Sequence, residues 1–465
     1  MSHTTEPQIH IPFGYACLPI IVMMVSMGIA VIQFESSPHI PLLISTIIAA
    51  IVARCFGYRW HTIEQGIYQG IRISLPAIVI IIMIGLTIGA WIGGGIVATM
   101  IYYGLQLISP SLFLVTICLI CAVVTLAIGS SWSTIGTIGV AAMGIGLSLN
   151  IPAPMVAGAV ISGAYFGDKM SPLSDTTNLA AGITHTPLFE HIRYMYITTL
   201  PAFLIALLVY AYLGLQFNAQ SVELEKIAEI MQAIKTHFVI SPWLLTVPLV
   251  VAVLVAKKVP TLPALTIGIL FGWLCHIVVQ GGEIKVAVNT LHYGYKIESG
   301  NAMIDSLFNR GGIEAMGFTI SLTIIAMAFG GIAERTGMLK SIVETILRIA
   351  HKTTHLIIAT VLSSILTNCT AAEQYISILL PGRMYANAYR EKGLSSKNLS
   401  RAIEDGGTVT SVLVPWNTCG IYAFSMLQVS AFEYAPYAVM NYVIPLIAIL
   451  LASLNVRVEY FLNNV

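Results

Sequence analysis

The sequence Gly167-Asp-Lys-Met-Ser-Pro-Leu-Ser-Asp-Thr-Thr-Asn178 interrupts an apolar part of the chain. The fifteen residues before it, 152–166, carry no charge, whereas these twelve include two aspartates, a lysine and four hydroxyl side chains. Pro172 lacks a backbone donor, and the residues from Ser174 to Asn178 favour helix caps over helix interiors. We therefore predict a membrane helix that breaks near the bilayer midplane and exposes oxygen ligands at the break.

The composition is that of a membrane protein. Hydrophobic residues make up 57% of the 465 residues and charged residues 9%, whereas soluble domains carry about 25% charged residues. This predicts an all-α polytopic membrane protein. The first apolar run, 13–34, is longer than a signal-peptide core, so we interpret it as a membrane helix. The net charge of +1 gives no indication of nucleic-acid binding, and the seven cysteines lie mostly in apolar runs, as buried hydrophobes do.

Two halves of the chain show the same order of predicted segments. The first half, 1–215, contains 13–34, 38–53, 60–73 (amphipathic), 74–93, 110–150 (a hairpin with its tip at 129–134), 152–189 (the broken helix) and 194–215. An amphipathic linker, 216–238, follows. The second half, 239–465, contains 239–256, 261–280, 282–310 (amphipathic), 313–334, 353–390 (a hairpin with its tip at 368–374), 402–427 (a second broken helix) and 434–454.

Each half is thus predicted to have five spans, one of them broken, and one re-entrant hairpin. An odd number of crossings orients the second half opposite to the first, so we predict two inverted repeats. Tip and break recur at similar spacing, since Ser130 to Asp168 is 38 residues and Asn368 to Asp405 is 37. With both termini in the cytoplasm, sixteen of the 22 basic residues fall on the cytoplasmic side and five outside, in agreement with the positive-inside rule. Such architecture is typical of secondary transporters.

Four motifs resemble one known family. They are the stretch 167–178 quoted above, Pro381-Gly-Arg-Met384, Glu404-Asp-Gly-Gly-Thr-Val-Thr-Ser411 and Pro415-Trp-Asn-Thr418. Together they are similar to the NhaC-type sodium/proton antiporters of the ion transporter superfamily, and the resemblance covers nearly the whole chain. It implies an antiporter of the bacterial inner membrane that exchanges Na⁺ for H⁺. Some close relatives exchange malate for lactate together with sodium and protons, so a sodium-coupled organic-acid exchanger stays open as an alternative.

The polar residues at breaks and tips are the predicted ion ligands, because Na⁺ prefers several oxygens and unwound helices supply them. In the first broken helix these are Asp168, Ser171, Ser174, Asp175, Thr176 and Asn178. In the second they are Asp405, Thr408, Thr410, Asn417 and Thr418. The hairpin tips add Ser130, Ser131, Ser133, Thr134, Asn368, Thr370, Glu373 and Gln374. We expect a subset of them to bind sodium and expect no further cofactor.

Carboxylates inside a membrane are costly and therefore usually functional. Asp168 and Asp405, which the spacing makes equivalent, are the first candidates for coupling sodium to protons, followed by Asp175 and Glu373. Structural ion pairs are the alternative: Asp168 with Lys169, or Arg401 with Glu404 at helical spacing.

Other classes of membrane protein fit the sequence less well. An intramembrane hydrolase needs a nucleophile with a base in reach, and no histidine is predicted at the depth of Ser130 and Ser131, so we do not expect an enzyme. Channels tend to use rings of identical loops rather than two inverted broken helices. A homodimer is compatible with the sequence.

Overall fold

The computed structural model describes residues 10–34, 36–107, 110–217, 221–257, 259–300, 304–305, 308–350 and 352–460. These residues form helices joined by short turns, with no β-strand among them, which confirms the all-α class. Four of the helices are long and apolar enough to cross a membrane, or six spans if each of two bent helix pairs counts as one. The chain is therefore a multi-pass membrane protein.

The first half is built around a helical hairpin and a broken helix. Its elements are Phe13–Gly28, Ile29–Gln33 (π), His39–Cys55, Trp60–Gly93, Ile96–Leu107, Pro110–Leu112 (3-10), Phe113–Ile128, Ser131–Thr134, Ile135–Gly139 (π), Val140–Ser148, Ala153–Met170, Asp175–Ile183 and Leu188–Gly214. We call 113–148 the first hairpin and 153–183 the first broken helix. The predicted linker contains one helix, Ser221–His237.

The second half follows the same plan. Its elements are Pro242–Leu245 (3-10), Thr246–Ala256, Thr261–Val278, Ile284–Tyr293, Glu314–Met316 (3-10), Gly317–Arg335, Met338–Ile349, Thr353–Ala371, Gln374–Glu391, Ser396–Gly406, Thr408–Ser411, Thr418–Leu427, Ala431–Tyr434 and Val439–Ser453. We call 353–391 the second hairpin and 396–427 the second broken helix.

Helix ends recur between the halves with one constant offset. Exactly 243 residues separate the starts of the descending hairpin helices, Ser131 and Gln374, and also their ends, Ser148 and Glu391. The same 243 residues separate Ala153 from Ser396, where the broken helices start, and Asp175 from Thr418, where they resume. Helix boundaries therefore give a repeat register of 243 residues over this part of the chain.

The two halves pack through exchanged contacts. Trp60–Gly93 packs against Gly317–Arg335, its counterpart in the other half. Each of these also receives a further helix from the opposite half: His39–Cys55 lies on Gly317–Arg335, and Thr261–Val278 lies on Trp60–Gly93. The largest apolar core draws side chains from both halves and surrounds the first hairpin and the first broken helix.

Glycines permit this close approach, as the sequence predicts for the third span and its counterpart. A Cβ added at Gly85 would lie 2.6 Å from the Gly312 carbonyl oxygen, and one at Gly330 would lie 2.4 Å from that of Ala371. Gly70 is closer still, because an added Cβ would lie 2.0 Å from a backbone oxygen of the opposing helix.

Two regions differ from the predicted segments. The amphipathic stretch 60–73 and the span 74–93 form one helix of 34 residues, which continues past Pro76. The stretch 94–109, interpreted above as a loop without basic residues, contains the helix Ile96–Leu107. Both follow from the apolar setting, in which backbone groups without water are best satisfied inside a helix.

Candidate functional site

The tip of the first hairpin holds Asp168. Gly129, with φ +80°, ends the ascending helix, and Ser130 caps the next one by accepting a hydrogen bond from the Ser133 backbone. Asp168 lies two residues before the end of its helix and is 6% exposed. Its Oδ2 accepts hydrogen bonds from the Ser131 hydroxyl at 2.5 Å and from the Ser131 backbone N–H at 3.3 Å. A buried carboxylate is thus fixed by the adjacent tip.

The first broken helix breaks where the sequence predicts. Ala153–Met170 ends, and Asp175–Ile183 begins with Ser174 as its cap, which accepts from the Thr177 backbone. Asn178 donates from Nδ2 to the carbonyl oxygens of Pro172 and Ser174. The unwound backbone is therefore partly satisfied by side chains of the break itself.

The tip of the second hairpin is built the same way with a carboxylate as its cap. Ala372, with φ +56°, ends the ascending helix. Glu373 caps the next helix, and its Oε2 accepts from the backbone N–H groups of Tyr375 at 2.5 Å and Ile376 at 3.1 Å. The Tyr375 hydroxyl donates to Asp175 Oδ2 at 2.7 Å. One half's tip thus contacts the other half's break.

A cavity of about 590 Å³ lies between the two tips and the first break. Its polar lining residues include three carboxylates, a glutamine, an asparagine and six hydroxyl residues of serine and threonine: Asp168, Asp175, Glu373, Gln374, Asn178, Ser130, Ser131, Ser133, Thr176, Thr137 and Thr418. Isoleucine side chains of Trp60–Gly93 line its apolar wall. No lysine, arginine or histidine occurs among the described residues that line it, so the cavity is negatively charged when its carboxylates are ionised.

Asp405 does not line this cavity. Its Oδ1 pairs with Lys169 Nζ at 2.5 Å, both side chains are fully buried, and Thr198 donates to the same oxygen at 3.0 Å. Arg401 Nε lies 3.9 Å from Asp405 Oδ2. The ion-pair alternative considered from the sequence therefore had the wrong partners, because Lys169 and Arg401 both face Asp405 rather than Asp168 and Glu404. The offset between the halves brings this aspartate to Lys169.

Most other predicted ligands of the second half stabilise its broken backbone. Asn368 donates from Nδ2 to the Gly407 carbonyl oxygen at 2.6 Å and to the Thr410 hydroxyl at 3.0 Å. Asn417 donates to Asn368 and accepts from the Cys419 backbone as a helix cap. Four more residues lie off the cavity and bond to nearby groups or face the buried interior: Thr134, Ser171, Thr370 and Thr408.

The repeat register explains the separation of the two aspartates. With an offset of 243 residues, Asp168 corresponds to Ser411 and Ser130 to Glu373. The equivalence of Asp168 and Asp405 drawn from the spacing is therefore wrong in this register. Position 405 lies six residues before position 411, which is about one and two-thirds helical turns, so its side chain points in a different direction.

The sequence gave no role at the site to three aromatic residues that line the cavity: Trp132, Tyr375 and Tyr422. Trp132 and Tyr422 stack with their ring centroids 4.1 Å apart, so one tip packs on the other half's broken helix. Trp132 was interpreted as a packing or interfacial residue. A signal was present, since Trp132 and Tyr375 each stand two residues after a tip cap.

Comparisons with known proteins agree on one family. A model described as the Na⁺/H⁺ antiporter family matches residues 163–456. The Na⁺/H⁺ antiporter NhaC of Alkalihalophilus pseudofirmus is 39% identical over 96% of each chain, and NhaC of Bacillus subtilis is 39% identical over 89% of this chain and 92% of its own. The malate-2H⁺/Na⁺-lactate antiporter of Bacillus subtilis is 36% identical over 92% of this chain and 91% of its own.

Proposed function

The chain belongs to the Na⁺/H⁺ antiporter family, and from this we propose that the cavity between the two tips is where Na⁺ and H⁺ exchange. The protein is a secondary active transporter, a Na⁺/H⁺ antiporter of the NhaC type. The observation that carries the assignment of the site is the convergence of Asp168, Asp175 and Glu373 on one cavity that no basic residue among its described lining residues enters.

Asp168 is the residue at which the two ions compete. Strict exchange requires that each ion exclude the other, and one carboxylate does this directly because either a proton or Na⁺ neutralises it. The empty, charged carboxylate is costly to carry through the membrane interior. Asp168 suits this role since both of its hydrogen bonds reach Oδ2, which leaves Oδ1 for an ion.

The remaining sodium ligands come from the tips and the first break. Ser130, Ser133 and Thr176 line the cavity with hydroxyl oxygens close to the Asp168 carboxylate in the fold. Asp175 and Glu373 add charge that attracts cations to the cavity. Thr418 is the one predicted ligand of the second broken helix that lines it. The other members of the predicted set hold the broken backbone in place.

The two halves are proposed to be inverted repeats in a bacterial inner membrane, with both termini in the cytoplasm. The constant helix offset and the exchanged contacts support a two-fold relation, and the distribution of lysine and arginine supports opposite orientations. Lys258, one of the basic residues assigned to the cytoplasm, lies outside the described residues. Ile73 and Pro260 line the cavity and adjoin basic residues of the same side, so the cavity opens to the cytoplasm in this orientation.

The pH dependence of sodium affinity tests the shared site. Where one proton competes with one Na⁺, the apparent sodium affinity falls about tenfold for each unit of pH below the midpoint of protonation. The fall is steeper where two carboxylates titrate together. Purified protein in proteoliposomes, assayed from neutral to mildly alkaline pH, gives this slope. A sodium affinity independent of pH would contradict the proposal.

Coupled transport of an organic acid is the second candidate function, because one relative is named a malate-2H⁺/Na⁺-lactate antiporter. In this chain an organic anion would have to bind after Na⁺ neutralises the carboxylates, through hydroxyls and helix N-termini. Sodium-driven proton movement measured with and without malate and lactate in the same vesicles separates the two functions. Stimulation by either acid would favour the exchanger.

A further inference from the structure

We propose that the same cavity also binds and carries a small organic cation, with a guanidinium or ammonium group on a short apolar body. This inference rests on the proposed function, since it uses the exchange site and its carboxylates. It adds a class of substrate that is neither a metal ion nor an organic acid.

The size of the cavity is the first argument. Its volume of about 590 Å³ is in the range of small-molecule binding sites, which enclose about 300–1,000 Å³. A sodium ion occupies only the immediate surroundings of its oxygen ligands. The rest of the cavity is bounded by apolar side chains, including Ile80, Ile84 and Leu265, which water alone does not require.

The charge of the cavity selects a cation. Asp168 and Glu373 are each 6% exposed, and each accepts its hydrogen bonds from the described residues at one oxygen only: Oδ2 of Asp168 and Oε2 of Glu373. The second oxygen of each is left to accept from a ligand. Guanidinium and ammonium groups offer several N–H donors and no acceptor, whereas an organic anion meets no basic side chain among the described lining residues.

The aromatic residues supply the third argument. Trp132 and Tyr375 correspond in the repeat register, so each tip brings one ring to the cavity beside a carboxylate. Aromatic faces attract guanidinium and ammonium groups by about 0.5–2 kcal/mol. Carboxylates with aromatic rings and an apolar wall match an organic cation better than they match Na⁺, which gains nothing from the apolar wall.

Transport of such a cation follows the scheme proposed for Na⁺. The organic cation neutralises the carboxylate on one side of the membrane and leaves when a proton replaces it on the other. The two substrates therefore compete, and a proton gradient drives either of them.

Radiolabelled methylguanidinium is a suitable probe because it keeps its charge at every working pH and does not cross the lipid as a neutral base. Full-length protein in proteoliposomes with an imposed proton gradient should accumulate it saturably, at least threefold over protein-free liposomes, and Na⁺ should inhibit this uptake. Trp132→Leu should weaken the apparent affinity for methylguanidinium about tenfold, or 1.4 kcal/mol, and more than it weakens that for Na⁺. Trp132→Tyr should restore most of it.

Trp243→Leu is the matched control, because Trp243 is 81% exposed and does not line the cavity. Vesicles that exchange Na⁺ for H⁺ but neither take up methylguanidinium nor are inhibited by it would overturn this inference and leave the cavity as a water-filled access path only. Saturable uptake of malate or lactate without methylguanidinium would overturn it as well. Loss of Na⁺/H⁺ exchange itself would instead contradict the proposed function.

Discussion

At the residue scale, two aspartates of the same chain have different surroundings. Asp168 lines a cavity and accepts from Ser131, while Asp405 pairs with Lys169 where no cavity reaches it. The first is placed to exchange ligands, and the second is neutralised by an ammonium group of the other half. Environment, rather than residue type, separates a coupling carboxylate from a structural one.

Asp168→Asn should abolish sodium-dependent proton exchange while the protein still folds. The amide keeps the size of the side chain and can still accept from the Ser131 hydroxyl, but it carries no charge and binds no proton in the working range. Fluorescence of a pH indicator inside proteoliposomes measures the loss, and the elution profile and melting temperature in detergent measure folding. Exchange at the normal rate would make Asp168 a structural residue.

Lys169→Met should destabilise the protein, because it leaves the fully buried Asp405 without its ammonium partner. Breaking a buried ion pair costs about 3–5 kcal/mol, whereas replacing both partners by apolar residues is often tolerated. We therefore expect a lower melting temperature for Lys169→Met and for Asp405→Leu alone, and recovery in the double variant. If the single variants melted like the parent protein, the pair would have no structural role.

At the element scale, the first hairpin and the first broken helix are held together by small residues. A Cβ added at Gly163 would lie 2.2 Å from the Cys118 carbonyl oxygen, and one at Gly167 would lie 2.4 Å from that of Ala122. Because backbone atoms cannot move aside easily, these glycines set the distance between the two helices. The same packing places Asp168 against the hairpin tip.

Gly163→Ala should push the first broken helix away from the hairpin. Overpacking of this kind typically costs about 1–3 kcal/mol, and the displacement should also weaken the Ser131–Asp168 hydrogen bond. We expect a lower melting temperature and a lower sodium affinity. Gly182→Ala is the control, since an added Cβ there meets no atom within 4 Å. Equal behaviour of the two variants would show that close packing does not position Asp168.

At the scale of the whole molecule, orientation in the membrane follows from the inverted repeat. The two hairpins and broken helices face each other across the site, so each half contributes one tip to the cavity. Opposite orientation allows the site to be reached from either side by small rearrangements of equivalent elements, as alternating access requires. The charge distribution predicts which side each loop occupies.

Cysteine labelling tests this orientation. In a background without the native cysteines, an impermeant thiol reagent added to intact cells should label Asn150→Cys and Gln232→Cys but not Lys340→Cys or Glu391→Cys. All four positions are exposed; Ser148, the site suggested by the sequence, is 1% exposed and unsuitable. Labelling of Lys340→Cys or Glu391→Cys in intact cells would contradict the inverted repeat.

Local chemistry was sufficient to locate the break, the two tips and the membrane class of the fold. Pro172, the capping residues Ser174 and Asn417, and the apolar composition act over a few residues or on the whole chain at once. They need no knowledge of distant partners. For the same reason the motifs identified the family, because their spacing is recorded directly in the chain.

Side-chain partners separated by hundreds of residues emerged only from the folded chain. The pairing of Lys169 with Asp405, the approach of Tyr375 to Asp175 and the aromatic lining of the cavity each join opposite halves. Successive helical residues point about 100° apart, so the shift from a repeat offset near 238 to one of 243 redirects every side chain of the second broken helix. Which carboxylate meets the cavity and which meets a lysine therefore depended on helix register and packing, which residue spacing alone does not resolve.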